Sequence, residues 1–374
     1  MRTKQLRTLA VAALAVAAVS LAACSSGPAA PSVDPSAPFD EDALVAAAKA
    51  ENCLTFYGDS TQSTLQQWAA AFTDEYGIPV TIVRNATGPL YQQFAQEAAA
   101  GQAQADIVSV LDHSALDQAI DAGWIAQYTP QEGDKVNQDF SRPGYYYADQ
   151  SMTEPAIAYN TNNVSPDQVA ELKADPMGYL ADASLKGKIG IVAPQAGMQL
   201  QAFWYLYSDG PEAGDYGWDT LDAIGANAGL ISDTVTVGNA VVQGEMDYGL
   251  PLADTYLITL ASGGAPIGIV YPDPTVAVAS ATAIAANAPC PNAARLFQEW
   301  AVSKAGVQTW TDVSKNAPMR EDVTFAPSYE DAPWFVPQPA DPWLDYSTDQ
   351  EFLDSVAADG DYYDKWNAAF GYSG

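Results

Sequence analysis

The 374-residue sequence predicts an α/β protein of two lobes, each a mainly parallel sheet flanked by helices. Two observations carry this. Over the first third of the chain, short β-rich runs alternate with amphipathic helical stretches, the order that builds a parallel sheet covered by helices. The same alternation starts again near residue 188.

The elements follow in order. Residues 41–50 read as a helix, and Leu54-Thr-Phe-Tyr57 as a short strand ending at the turn Gly58-Asp59-Ser60. Leu65, Trp68, Ala69, Phe72 and Tyr76 recur at helical spacing, on one face of a helix that Gly77 stops. Residues 80–83 form the next strand. Thr87-Gly88-Pro89 opens a further helix, with Pro89 in the first turn, where a missing N–H does no harm. A third strand over 105–110 and a helix to Ala122 complete the first block. The second block has a strand at 188–192, a loop at 194–197, a helix over 198–207, and strands at 248–250 and 267–271. A helix over 293–303 turns Ala294, Phe297, Trp300 and Ala301 inward. From residue 321 the chain is acidic and broken by Pro333, Pro337, Pro339 and Pro342. This segment carries Trp334, Trp343 and Trp366, and is predicted to wrap the body and end in a helix through Tyr363, Trp366 and Phe370.

Arg2, Lys4 and Arg7 precede an apolar run too short to span a bilayer, which closes in Leu21-Ala22-Ala23-Cys24. Small residues before a cysteine resemble the lipobox of bacterial lipoproteins. The resemblance implies that residues 1–24 are a leader cut before Cys24, and that the thiol carries a lipid such as palmitate. The protein is then expected outside the cytoplasm, held on the cell membrane at its surface or periplasmic face. Residues 25–40, rich in Ser, Pro and Ala, read as a flexible tether. About 335 residues remain, enough for two cores.

The composition is strongly acidic, with 15 Lys+Arg against 46 Asp+Glu and a formal net charge of −31. Such a surface repels nucleic acid and anionic headgroups and argues against both as partners. Cys53 and Cys290 remain beside the lipidation cysteine. An oxidising compartment permits a disulfide between them, and two buried free thiols are the alternative. With His113 the single histidine, a structural zinc site is not expected.

Several stretches, in order, carry a family resemblance: Leu54-Thr-Phe-Tyr-Gly-Asp-Ser60 with its following helix, Tyr76-Gly-Ile-Pro-Val80, and Gln104-Ala-Asp-Ile-Val108. They continue with Ala156-Ile-Ala-Tyr-Asn-Thr161, Leu185-Lys-Gly-Lys-Ile189, Gly263-Gly-Ala-Pro-Ile267, Val270-Tyr-Pro272 and Ala288-Pro-Cys-Pro-Asn-Ala-Ala294. Together, over residues 50 to 305, they resemble the extracellular solute-binding proteins of ABC importers, in the group of ferric-iron, phosphonate, thiamine and polyamine binders. The resemblance implies a two-lobe, periplasmic-binding-protein-like fold of type II. Lobe one would take residues 41–155 and 275–320, lobe two 156–274, with the acidic aromatic segment 321–374 packed on the body. It implies a monomer that is not an enzyme and needs no cofactor or resident metal. Such a protein closes on a small molecule or ion and delivers it to an ABC permease.

In open α/β sheets, ligands sit beyond the carboxyl ends of strands, near helix N-termini. That rule selects Asp59, Ser60 and Thr61 after the first strand, and Thr87 and Gly88 after the second, where free amides can cradle an anion. It selects Asp112 and His113 after the third, and Gln195, Gly197, Asp254 and Tyr256 in lobe two. Tyr147, in Tyr145-Tyr146-Tyr147, either stacks on a ligand or packs in the core. Ferric binders of this group use adjacent tyrosines, whereas the matching region here reads Ala253-Asp254-Thr255-Tyr256. A ferric iron complex, a phosphonate or phosphate ester, a polyamine and a thiamine-like compound all stay open. Asp59, Asp112 and Asp254 suit a cation, Thr87 and Gly88 an anion.

Two other readings compete. Phe56-Tyr-Gly-Asp-Ser60 looks like the nucleophile block of GDS-type esterases, whose serine needs a histidine base. No histidine follows His113, so that pattern breaks where catalysis depends on it. The acidic, aromatic tail offers the other, a surface interaction lipoprotein.

Overall fold

The computed structural model describes residues 39–373 apart from 340–341, 345, 347–348 and 358–359. The expected leader, the expected lipidation site Cys24 and the expected tether as far as residue 38 lie outside the described residues. The chain opens with α1 (Glu41–Glu51), β1 (Thr55–Gly58), α2 (Gln62–Tyr76), β2 (Thr81–Arg84), α3 (Thr87–Ala99), β3 (Ile107–Val110) and α4 (His113–Asp121). It then crosses over through β4 (Tyr146–Tyr147), β5 (Met152–Thr153) and β6 (Pro155–Asn160). There follow α5 (Pro166–Ala174), α6 (Pro176–Leu180), β7 (Ile189–Val192), α7 (Met198–Ser208), α8 (Gly217–Asn227) and β8 (Ala228–Ser232). Next come α9 (Thr234–Gln243), β9 (Tyr248–Ala253), α10 (Asp254–Ser262) and β10 (Ile267–Val270). The chain returns through β11 (Val278–Ala279) to β12 (Ala281–Ile284), α11 (Pro291–Val302) and α12 (Lys304–Ser314), and finishes with α13 (Pro327–Glu330), α14 (Gln350–Ser355) and α15 (Tyr362–Phe370).

Two five-stranded sheets result, in the orders β2-β1-β3-β12-β4 and β10-β6-β9-β7-β8. Each has a parallel part, β2-β1-β3 in one and β9-β7-β8 in the other. The antiparallel pairings come from strands that arrive from, or leave for, the other sheet. Between the sheets, β5 and β11 pair as a two-stranded ribbon, so both crossovers run side by side.

The first core forms because Leu65, Trp68, Ala69 and Phe72 are the buried face of α2. Gly77, at φ 75°, ends that helix in the left-handed region that glycine tolerates. Trp68 packs edge-on against Phe297 and Trp310 and donates its indole N–H to the Gly306 carbonyl at 3.0 Å. A disulfide joins Cys53, at the foot of β1, to Cys290, at the start of α11. The second core gathers Trp204, Phe203, Ile189, Ile191 and Leu221 around the other sheet. β8 and α8 lie where the sequence pattern is silent, because β8 is half-exposed along its length and shows no alternation. Among the described residues no helix is long and apolar enough to cross a membrane.

The segment after α12 touches both halves. Pro318 bridges to Ser151 and Arg320 to Val136. The buried Arg320 guanidinium pairs with Glu132 at 2.5 Å and Asp322 at 2.8 Å. Trp334 and Val336 then pack beside Ile258 and Ile269 of the second sheet. Trp343 forms a parallel bridge to Val276 and donates its N–H to Thr275 at 2.7 Å. Finally Tyr346, Phe352, Tyr362, Trp366 and Phe370 enter the second core, with Trp366 stacked on Phe370.

Candidate functional site

A cavity of about 600 Å³ opens between the two sheets. From the first sheet's side it is lined by Thr87, Gly88, Pro89, Leu111, Asp112 and His113. From the second come Gly197, Met198, Gln199, Leu200, Thr234 and Ala253. The ribbon contributes Ala277 and Val278, the C-terminal segment Leu344 and Tyr346, and the loop before the crossover Asp139 and Phe140.

The lining is mostly helix N-termini, and they differ in how they are finished. Asp112 caps α4 by accepting from the Ala115 N–H at 3.2 Å, and Asp233 caps α9 from Val235 and Thr236 at 2.9 and 3.0 Å. α3, behind Ala86, and α7, behind Gly197, have no side-chain cap. Thr87 and Gly88 of α3 and Met198 and Gln199 of α7 have no acceptor for their amides within their own helix, while Leu200 donates back to the Gly197 carbonyl at 3.0 Å and Pro89 has no N–H. Each of these two ends therefore offers two N–H groups and the positive end of a helix dipole to the cleft. At Gly88 and at Gly197 an added Cβ would meet nothing within 4 Å. Packing therefore does not require glycine at either place, and its effect is to leave the backbone amides open.

Asp59 lies beneath this floor, not on it. Its Oδ2 accepts from the Thr87 hydroxyl at 2.7 Å and from the Leu111 N–H at 2.9 Å, while Oδ1 has no partner. Burial pushes its carboxyl above the usual range. It fastens the start of α3 to the end of β3, which sets Thr87 and Gly88 at the cleft. His113 sits at the mouth of α4 with its ring against Tyr146. Its Nε2 lies 2.7 Å from the Ala279 carbonyl, so Nε2 carries the proton and donates. Burial lowers its pKa, keeping the imidazole neutral. It thus ties the cleft wall to β11.

Of the residues selected from the sequence, Thr87, Gly88, Asp112, His113 and Gly197 meet in the cleft. The others do not. The Ser60 hydroxyl donates to Gln150 at 3.1 Å, and exposed Thr61 contacts Thr64 at the start of α2. Gln195 is exposed and reaches Asn367 of α15. Tyr147 is 2% exposed, packed with Val136, Val302, Val307 and Val323, and accepts the Gly144 N–H at 2.8 Å. On β4, Tyr146 takes the side facing His113 instead. Tyr256 packs over Gly238. Asp254 is fully buried: β9 runs to Ala253, and the first residue of α10 turns its carboxylate back into the hinge. It accepts from the N–H groups of Glu154 and Thr255, the Tyr271 hydroxyl and Gln338. Among the described residues no group of three or more His, Cys, Asp or Glu could hold a metal ion.

The sequence reading missed Phe140, Thr234, Leu344 and Tyr346. Thr234 had a signal in Asp233-Thr-Val-Thr236, a helix-capping pattern after a polar turn. Leu344 follows Pro342 and Trp343 in a stretch without periodicity and had none.

The sequence profile described as bacterial extracellular solute-binding protein matches residues 54–313. An uncharacterized protein of Haemophilus influenzae is 25% identical over 276 residues, covering 71% of this chain and 77% of its own. Iron-bound HitA from Pseudomonas aeruginosa aligns with a TM-score of 0.61 at 24% identity, over 74% of this chain and 89% of its own. AfuA from Actinobacillus pleuropneumoniae, with fructose-6-phosphate bound, gives 0.56 at 21% identity over 73% and 87%. The substrate binding protein of an Agrobacterium tumefaciens ABC transporter gives 0.62 at 16% identity over 86% and 96%. At these identities the structures speak for the fold, and the profile speaks for the lineage. Because its match runs through both sheets and the cleft between them, the chain belongs to the bacterial extracellular solute-binding protein family.

Proposed function

We propose that this protein captures a small organic anion, a phosphate or phosphonate ester, outside the cytoplasm and passes it to an ABC import permease. The observation that carries the reading is the pair of uncapped helix N-termini, α3 and α7, opening into one cavity from opposite sheets. An anion bridging them gains donors from both sides only when the lobes are closed, which is how a ligand shifts a hinge. The lobes, residues 41–155 with 275–320 and residues 156–274, would turn about the β5–β11 ribbon. Lipid on Cys24 would hold this monomer at the membrane.

Two features weigh against the other ligands. A polyamine or thiamine-like cation needs free carboxylates. Of the carboxylates that suit a cation, Asp59 and Asp254 are committed to protein donors away from the cavity lining, and Asp112, which does line it, spends Oδ1 on capping α4. Ferric iron needs hard anionic donors, and the one tyrosine of the 253–256 stretch packs over Gly238. AfuA, solved with fructose-6-phosphate, is a relative in fold whose ligand bears a phosphate. Hydrolysis finds no support, since Ser60 donates to Gln150 and His113 to Ala279.

A thermal-shift panel on soluble protein beginning at Ser25 tests this. Alkyl and aryl phosphonates or phosphate esters should raise Tm, and a ligand at 100 times its Kd adds about 2.7 kcal/mol. Ferric citrate, spermidine, thiamine and neutral sugars should leave it unmoved. A shift confined to spermidine or ferric citrate would overturn the anion reading.

A further inference from the structure

The cleft has a second character besides its helix ends. Apolar side chains line it too: Phe140, Leu111, Met198 and Leu200, with Leu344 and Tyr346. The last two belong to the segment beyond the family match, which stops at residue 313. They are held firmly. Trp343 bonds to Thr275 at 2.7 Å and lies nearly parallel over Tyr205, with 18° between the rings. The Tyr346 hydroxyl donates to the Ala277 carbonyl at 3.1 Å. Between these anchors Leu344 packs beside Phe140, Ala277 and Ala279 and faces the cavity. An independent observation points the same way. Three large hydrophobic side chains are exposed among the described residues: Met198 lines the cleft, Val235 adjoins the lining residue Thr234, and Phe39 lies at the start of the described chain. Met198 thus presents exposed apolar surface to the cleft, where a ligand's body can cover it.

We propose that the C-terminal segment sets the specificity of the cleft, Leu344 and Tyr346 selecting an anion that carries an apolar body. The inference rests on the anion reading above and narrows it to alkyl or aryl phosphonates and phosphate esters. A polyhydroxylated body would lay hydroxyls against the apolar Leu111, Phe140 and Leu344 part of the lining, at a cost for each one left unbonded.

Isothermal titration of the soluble full chain with phenylphosphonate, methylphosphonate and glucose-6-phosphate decides it. The wild-type protein should bind phenylphosphonate about tenfold or more tightly than methylphosphonate, and glucose-6-phosphate most weakly. Leu344→Ser should bring the phenyl-to-methyl ratio close to one, with most of the loss falling on phenylphosphonate. Tyr346→Phe, which keeps the ring, should preserve the ratio. Equal wild-type affinities, or a ratio that survives Leu344→Ser, would overturn the proposal while the anion reading stands. Should that variant not fold, Leu344→Ala carries the same test. Binding of none of the three would overturn both.

Discussion

The cleft and the back of the hinge flank the same crossover region and are built in opposite ways. The cleft leaves hydrogen-bond donors unfinished and open, at the ends of α3 and α7. The hinge buries acceptors. Glu154, just before β6, has both carboxyl oxygens unpartnered and no exposure, and next to it Asp254 collects donors from three segments of the chain. Behind them lies a second cavity of about 320 Å³, walled by Tyr271, Phe325, Trp334 and Phe335. An unfinished helix end in water costs little, because water serves the amides until a ligand displaces it. A buried carboxyl has no such substitute and keeps its proton instead. Burial, helped by the nearby Asp254 and Asp273, pushes Glu154 up to about 9, and burial pushes Asp254 up to about 7. Readiness for a ligand and integrity of the hinge are thus assigned to separate sides of one ribbon.

The contrast can be broken from the hinge side with the largest effect. Asp254→Ala strands the Tyr271 hydroxyl, the Gln338 amide and two backbone N–H groups. It should cost on the order of 3 kcal/mol in urea unfolding. Retention of wild-type stability would show that these donors find other partners. From the cleft side, Gly88→Ala and Gly197→Ala place a methyl over the open amides. Each should weaken phosphonate binding about tenfold, close to 1.4 kcal/mol, by titration. Stability should be unchanged, or slightly raised for Gly88→Ala within α3, since alanine favours a helix. A fall in Tm with affinity intact would mean that the glycines serve packing.

The protonation difference sharpens the comparison next. Carboxyls whose folded pKa is raised stabilise the protein at low pH, and this contribution is lost as pH climbs through the folded value. For Asp254 and Glu154 the loss should run from the ordinary carboxylate range near 4 up to about 7 and about 9 respectively. Asp149, raised to about 8 by burial in the first half, adds a slope of the same sign. Tm should therefore fall between pH 6 and roughly 9, and Glu154→Gln should flatten the upper part of that fall. An unchanged profile in the variant would remove Glu154 from the account. Smallest of all, Gln338→Leu should cost about 1 kcal/mol, the loss of one hydrogen bond to Asp254.

How much of this was legible depended on periodicity. The α2 stripe Leu65, Trp68 and Phe72 repeats with the helical period, and the strands around Phe56 and Ile107 are short β-rich runs buried nearly throughout, so the fold could be read from them. Thr87, Gly88 and Gly197 were reachable because glycine at a strand-to-helix turn advertises an open backbone. Asp59 and Asp254 were misplaced by one layer. Sequence locates a loop beyond a strand, but the turn decides whether a side chain faces solvent or runs under the floor. Leu344 was invisible, because its place depends on Trp343 pairing with Val276, a contact between distant segments that no local pattern encodes.

Among the described residues lining the cleft there is no lysine or arginine, although the chain carries a formal charge of −31. The attraction of a helix end fades within its first turn, whereas the repulsion of the acidic surface reaches out to a Debye length, about 8 Å at physiological salt. An anionic solute would therefore climb a shallow barrier before it is held. Added salt should speed its capture while leaving its residence time nearly untouched, the reverse of the behaviour of proteins that steer their ligands by opposite charge.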